Sequence, residues 1–193
     1  MNLPNKLTLA RLLLTIVFVA CFYLPMGNGI SWALVIFIVA SVTDYLDGHL
    51  ARKHNLVTNF GKLFDPLADK VLVAAAFILL VEKTEMKAWL AVAILGREFF
   101  VTGIRAIAAN QGVVLAAERL GKHKMLWQIL TAVYFLLRLA SAEPMCAWAA
   151  PFFQWPPTSP AVLGRFCMAL TAVLTLVSGF SYFWKNRRMF SDM

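Results

Sequence analysis

The stretch ISWALVIFIVASVTDYLDGHL, residues 30–50, is apolar for most of its length and then carries Asp44 and Asp47 near its end. A helix of about 20 apolar residues spans the hydrocarbon core of a bilayer. A run of this length with its charge confined to one end therefore reads as a membrane span that finishes in a polar site. Five more runs of the same kind occupy residues 7–24, 63–81, 88–109, 125–140 and 161–184, and the fifth of the six can be drawn back to near Arg119. Polar, Gly-rich or Pro-rich breaks separate them. The expected fold is all-α, an integral membrane bundle of six transmembrane helices forming one domain over residues 1–193.

Composition points the same way. Of the 193 residues 61% are hydrophobic and only 15% charged, and the mean hydropathy is +0.72. A domain of this size cannot cover so much apolar surface by itself, which argues against a soluble α/β enzyme, a disordered tail or a disulfide scaffold. Cys21, Cys146 and Cys167 are odd in number, far apart and set in apolar sequence, so neither a disulfide framework nor a metal knuckle is expected. The net charge of +8 is spread between the apolar runs. That distribution suits anionic headgroups, and no nucleic-acid partner is expected.

Positive charge is retained on the cytoplasmic side of membrane proteins. With six alternating spans, one side collects Lys6 and Arg11, then Arg52, Lys53 and Lys62, then Arg119, Lys122 and Lys124, and finally Lys185, Arg187 and Arg188. The other side keeps Lys83 and Lys87 beside Glu82 and Glu85, and a connection from Glu143 to Pro160 with Trp148 and Trp155 but no lysine or arginine. Both termini are expected in the cytoplasm. The first run is not read as a cleavable signal, because residues 24–29 lack a small-residue cleavage site and read as a tight turn back into the membrane. Pro156-Pro157 is read as a loop.

Four of the ten acidic residues fall at the inner ends of spans two and three. Asp44 and Asp47 are three apart, Asp65 and Asp69 four apart, and on helices each pair projects from one face. Insertion of each such charge costs about 2.5–3.5 kcal/mol, so intramembrane carboxylates usually mark a site. Converging carboxylates repel one another unless cations lie between them. Ligation by oxygen alone suits Mg²⁺, Mn²⁺ or Ca²⁺ better than zinc, and two such ions would clamp a phosphoryl group. Gly48, Ala51 and Gly61 leave room for a ligand near the backbone. Asp65-Pro66 is expected to open a helix, with proline in its first turn. His49, His54 and His123 read as interfacial polar residues.

The pattern Asp44-x2-Asp47-Gly48-x2-Ala51-Arg52-x8-Gly61-x3-Asp65-x3-Asp69 resembles the full motif of the CDP-alcohol phosphotransferases, with each of its eight fixed positions occupied. The resemblance implies a six-helix membrane enzyme, a homodimer, with a two-metal Mg²⁺ or Mn²⁺ site on the cytoplasmic side that displaces CMP from a CDP-linked substrate. Residues 3–11, including Asn5 and Thr8, resemble the short amphipathic N-terminal segment of the bacterial phosphatidylglycerophosphate synthases. Residues 96–105 resemble their fourth span, and Gly121-Lys122-His123-Lys124 with Gln128 their fifth. That branch implies CDP-diacylglycerol and sn-glycerol 3-phosphate as substrates, and the bacterial cytoplasmic membrane as location. On this reading Asp44, Asp47, Asp65 and Asp69 hold the metals, and Asp69 also takes the acceptor's proton. Asn5, Thr8, Gly48, Ala51, Arg52 and Gly61 meet CDP-diacylglycerol.

For the acceptor phosphate the candidates are Arg97, Thr102, Arg105, Lys122 and Lys124. Glu98, Thr102 and Arg105 share a helical stripe and can position one another. Arg97 lies near mid-span, where it should face protein or a watery cavity, and arginine grips phosphate with a two-pronged hydrogen bond. Lys122 and Lys124 are expected at the cytoplasmic mouth. Met125 departs from the branch, where a threonine is expected. The aspartate motif is shared by members acting on inositol phosphate, phosphatidylglycerol or serine, so these acceptors remain alternatives. A cation transporter is a distant rival, but it would place its carboxylates near the midplane in two repeated halves, and no repeat is present.

In a variant lacking the three native cysteines, a single cysteine replacing Asn55 should be labelled only from the cytoplasmic side and one replacing Trp148 only from outside. The reverse pattern would invert the topology.

Overall fold

The computed structural model describes residues 3–24, 27–54, 59–110 and 119–187, and the side chains of 9–24, 27–43, 70–108, 123–185 and 187. Within these residues the chain is all-α, without strands. Each apolar run lies on a helix: α1 (Leu3–Tyr23), α2 (Gly29–His54), α3 (Asn59–Glu82), α4 (Ala88–Asn110), α5 (Arg119–Ala140) and, after a five-residue α6 (Ala150–Gln154), α7 (Arg165–Asn186). The N-terminal segment is continuous with the first span in α1. By length and apolarity alone, one helix among the described residues qualifies to cross a membrane, Pro156–Lys185. His123–Ala140 with Pro144–Gln154 qualifies as a second if the pair, bent by 114°, is counted as one span.

Two expectations about element boundaries are corrected. Helix α3 begins at Asn59, so Asp65-Pro66 lies inside it instead of opening it. Proline's fixed φ is already the helical value, and a helix packed on three neighbours can give up one backbone bond. The connection from Glu143 to Pro160 is also more ordered than a loop. It holds 3₁₀ turns at Pro144–Ala149 and Pro156–Thr158 around α6, then a π turn at Pro160–Gly164 leading into α7.

The helices close into a ring. Helix α1 packs on α2 and α3, α2 on α5, α5 on α7, and α7 on α4, which returns to α3, while α3 and α5 also meet across the middle. Phe18, Phe37, Phe77, Leu80, Ile94 and Leu136 fill the centre, with the Phe18 and Phe37 rings 5.6 Å apart. Ala33, Ala40, Ala76, Ala132 and Ala140 are wholly buried, and such small residues let helix backbones approach closely. Between α5 and α7 the seam is polar. The Thr131 and Thr171 hydroxyls share a 2.8 Å hydrogen bond, Thr171 Oγ1 donates to the Trp127 carbonyl at 3.1 Å, and Gln128 Nε2 donates to Thr175 Oγ1 at 3.3 Å. Each such interhelical bond contributes roughly 0.6 kcal/mol in a bilayer.

The ends opposite the aspartates are stapled by carboxylates. Glu143 accepts the Ile30 and Ser31 amides at 2.9 and 2.7 Å, and the Ser31 hydroxyl at 2.7 Å, at the start of α2. The turn into α2 is tight enough that a Cβ on Gly29 would stand 2.5 Å from the Cys21 carbonyl oxygen. Glu82 accepts the Tyr23 hydroxyl and Glu85 pairs with Arg138, so these acids tie α3 and its following turn to α1 and α5. That turn is a Schellman motif, with Glu85 N bonded to Leu80 O at 2.9 Å and Thr84 N to Val81 O at 3.0 Å. Thr84 takes the left-handed position at φ 60°, where glycine is usual.

Glu143→Ala leaves two amides at the N-terminus of α2 without their carboxylate. It should cost about 1–2 kcal/mol, read as a lower Tm in detergent, and Glu143→Gln should recover part of the loss.

Candidate active site

The aspartate motif falls on the last turns of α2 and the first turns of α3. Both stretches are helical backbone, so the three- and four-residue spacings do set each pair on one side of its helix. The side chains of Asp44, Asp47, Gly48, Ala51, Arg52, Gly61, Asp65 and Asp69 lie outside the described residues, as do those of Asn5, Thr8 and Lys122. Among the described residues no three His, Cys, Asp or Glu side chains gather as a metal-binding group. What fits a divalent cation here is the donor set itself, four carboxylates at helical spacing with oxygen ligands only. Ser41, one turn before Asp44 on α2, has a buried hydroxyl with no partner among the described residues.

The described side chains beside the motif begin at Lys70. Lys70, next in sequence to Asp69, reaches across to α4 and donates to the Thr102 hydroxyl. That hydroxyl donates in turn to the Glu98 carbonyl at 2.8 Å. One turn back along α4, a single oxygen of the Glu98 carboxylate gathers three donors: Lys124 of α5, Gln128 Nε2 at 3.3 Å, and Arg97 Nη1 at 3.4 Å. Gln128 also reaches Thr175 of α7. The cluster therefore joins α3, α4, α5 and α7, and its members are polar groups that an apolar bundle buries only when they are paired.

Of the acceptor-side candidates, the structure brings Arg97, Thr102 and Lys124 together around Glu98. Lys124 is only 5% exposed, so it is enclosed by the helices around it. Its placement follows from Glu98, which gives a buried ammonium a counter-charge that solvent would otherwise supply. Arg97 lies flat on α7: a Cβ added to Gly179 would stand 2.7 Å from its Cγ. Its stem also lines an apolar groove of about 460 Å³ between α4 and α7, with Gly96, Phe100 and Phe183.

Arg105 stands apart from this cluster. Its Nε donates to the Tyr182 hydroxyl at 3.2 Å and its guanidinium lies 5.2 Å from the centre of the Tyr182 ring. Within the shared stripe the Thr102 hydroxyl bonds the Glu98 carbonyl, but the side chains of Glu98, Thr102 and Arg105 turn to different neighbours. They diverge to α5, α3 and α7.

Sequence reasoning missed several of these roles. Lys70 was detectable as a lysine inside an apolar run. Tyr182 carried no signal, since a tyrosine near a helix end also suits a membrane interface. Arg11, read as a flanking cytoplasmic charge, is 6% exposed and turned into the bundle.

A family model described as CDP-alcohol phosphatidyltransferase matches residues 1–179. The chain is 40% identical over 205 residues to the CDP-diacylglycerol–glycerol-3-phosphate 3-phosphatidyltransferase of Bacillus subtilis (strain 168), covering 96% of this chain and 95% of that protein. It is 33% identical over 189 residues to the protein of the same name from Rickettsia felis, with 98% and 97% covered. A chloroplastic/mitochondrial protein of Arabidopsis thaliana with this name, numbered 1, is 40% identical over 162 residues, with 77% of this chain and 54% of that one covered.

Because Gly179 makes room for Arg97, Gly179→Ala should cost about 1–3 kcal/mol of stability by overpacking. In an Arg97→Ala background the same change should cost less than about 0.5 kcal/mol. A double-mutant cycle on Tm or denaturant midpoints reads the coupling.

Proposed function

The chain belongs to the CDP-alcohol phosphatidyltransferase family, and from that premise we propose that it transfers a phosphatidyl group from CDP-diacylglycerol to sn-glycerol 3-phosphate. The products are phosphatidylglycerophosphate and CMP, a step of phospholipid synthesis. The observation that carries this reading is the end-to-end similarity to relatives named for that reaction, over at least 96% of the chain for two of them. The clustered cations on α3, α4 and α5 support an anionic acceptor.

In this reading Asp44, Asp47 and Asp65, with Asp69 completing the second position, hold two Mg²⁺ or Mn²⁺ ions. Bound there, the ions supply positive charge against the pyrophosphate and the departing CMP. Asn5, Thr8, Gly48, Ala51, Arg52 and Gly61 seat the cytidine diphosphate, leaving the acyl chains in lipid. Arg97, Thr102, Lys122 and Lys124 hold the phosphate of the acceptor, and Arg105 meets it from the α7 side, kept in place by Tyr182. Asp69 accepts the proton of the acceptor hydroxyl. The freed oxygen attacks the phosphorus nearest diacylglycerol, a new P–O bond forms, and the bond to the CMP oxygen breaks. Lys70 ties the two halves of the site together, since it follows Asp69 on α3 and touches Thr102 on α4.

The six long helices cross the cytoplasmic membrane of a bacterium in this reading, as one domain over residues 1–193 that pairs as a homodimer. Both termini and the site face the cytoplasm. Tyr23–Glu82, Glu85–Arg138 and Glu143 then staple the outer ends.

The test is CMP release by purified protein given CDP-diacylglycerol, glycerol 3-phosphate and Mg²⁺. Activity should vanish in EDTA and return with Mg²⁺ or Mn²⁺. Asp44→Asn, Asp47→Asn and Asp65→Asn should each weaken metal dependence and lower turnover by at least about 100-fold. Full activity in chelator would overturn the two-metal site, and CMP release without any need for glycerol 3-phosphate would overturn the acceptor.

A further inference from the structure

Resting on the phosphatidyltransferase reading, we propose that Glu98 is a positioning residue for the acceptor: it holds the Lys124 ammonium inside the bundle, where that ammonium meets the substrate's phosphate. Lysine has a flexible four-carbon stem and a point charge that water normally hydrates strongly. The Lys124 side chain is only 6% exposed and that of Glu98 15%. Where the ammonium stands is therefore decided by Glu98 and not by solvent. An ammonium has three donors. Among the described residues one goes to Glu98, which leaves the others for a phosphate oxygen.

The carboxylate is itself held from more than one side. Gln128 bonds the same oxygen while its amide also reaches Thr175 of α7. Arg97 bonds it from α4 with its stem laid against Gly179. Thr102, one turn on, is bonded by the lysine that follows Asp69. A simple adhesive between helices does not call for this arrangement. The Thr131–Thr171 pair and the Thr171–Trp127 bond between α5 and α7 do that work without charge, and a buried ion pair is often no more stabilising than an apolar contact of the same size. Two cations converging on one carboxylate, beside the helix that carries Asp65 and Asp69, suit the handling of an anion.

The test is steady-state kinetics with glycerol 3-phosphate and CDP-diacylglycerol varied separately, with Tm measured on each variant. Glu98→Gln keeps the shape and removes the charge. It should raise the KM for glycerol 3-phosphate at least about tenfold, with the KM for CDP-diacylglycerol changed by less than about threefold. Glu98→Asp, which keeps the charge on a shorter stem, should recover part of the acceptor KM. Because Glu98 acts through Lys124, Glu98→Gln combined with Lys124→Met should lose no more than Lys124→Met alone. Should Glu98→Gln fail to fold, Gln128→Leu leaves both charges in place and should raise the acceptor KM selectively. Equal losses toward both substrates, an additive double variant, or wild-type acceptor kinetics in Glu98→Gln would each overturn the assignment. Wild-type protein that releases no CMP with glycerol 3-phosphate would instead remove the functional reading, and this proposal with it.

Discussion

A carboxylate enclosed by apolar helices must find cations or give up its charge, and the way Glu98 meets that demand organises half of the bundle. Desolvating one ion costs several kcal/mol unless partners replace the lost water. Glu98 recovers this from Lys124, Gln128 and Arg97, which belong to two helices. Gln128 then recruits Thr175, and Arg97 is accommodated because α7 carries Gly179 where the two cross. One buried charge thus helps to hold α4, α5 and α7 together, beside the threonine bonds of the α5–α7 seam. A neutral replacement at Glu98 takes a counter-charge from Lys124 and from Arg97 in the same step.

Acidic residues are scarce, ten in 193, and those that the structure describes are each used across helices. Glu82 reaches α1, Glu85 reaches α5, Glu143 holds the start of α2, and Glu98 holds α5. The first three work at the ends of the helices away from the aspartates, and Glu98 works within the bundle. This division matters for function in the proposed reading. Rigid outer ends leave the aspartate-bearing ends of α2 and α3, and the cation cluster beside them, as the part that can admit a substrate from the cytoplasm.

Much of the fold was legible because helix length and apolar content are local properties. Six runs near 20 residues long anticipate six long helices, and Arg119 was already a plausible start for the fifth. Boundaries set by a single residue were less secure. Asp65-Pro66 looks like a helix start because proline favours that position, but the packing of α3 on α1, α4 and α5 carries the helix past it. The site was legible as residue types and less so as partners. Thr102 and Glu98 share a stripe on α4, yet one bonds α3 and the other α5, because a stripe wide enough for both faces two neighbours. Which neighbour stands on which side is a property of the ring and cannot be read from spacing along one helix. Lys124 and Arg11 show the same limit: their sequence neighbours mark them as flanking charges, while tertiary packing turns them inward.

The distribution of roles also explains how one chemistry can serve different alcohols. In the proposed reading the aspartates on α2 and α3 deal with the pyrophosphate, which is the same whatever the acceptor. On that reading discrimination comes from groups outside the motif, and α4 and α5 offer Arg97, Thr102 and Lys124 for it. Lys70 is the physical link between the two sets, one residue from Asp69 and bonded to Thr102. A cation that reaches from the aspartate-bearing α3 to α4 ties the two helices together, and in the proposed reading their separation sets whether an acceptor oxygen can stand in line with the phosphorus it attacks. In-line geometry is demanding, since a misplacement of about 1 Å can cost on the order of 100-fold in rate. In the proposed reading the acceptor site therefore stands on α4 and α5, helices that the polar network of this bundle ties to α3.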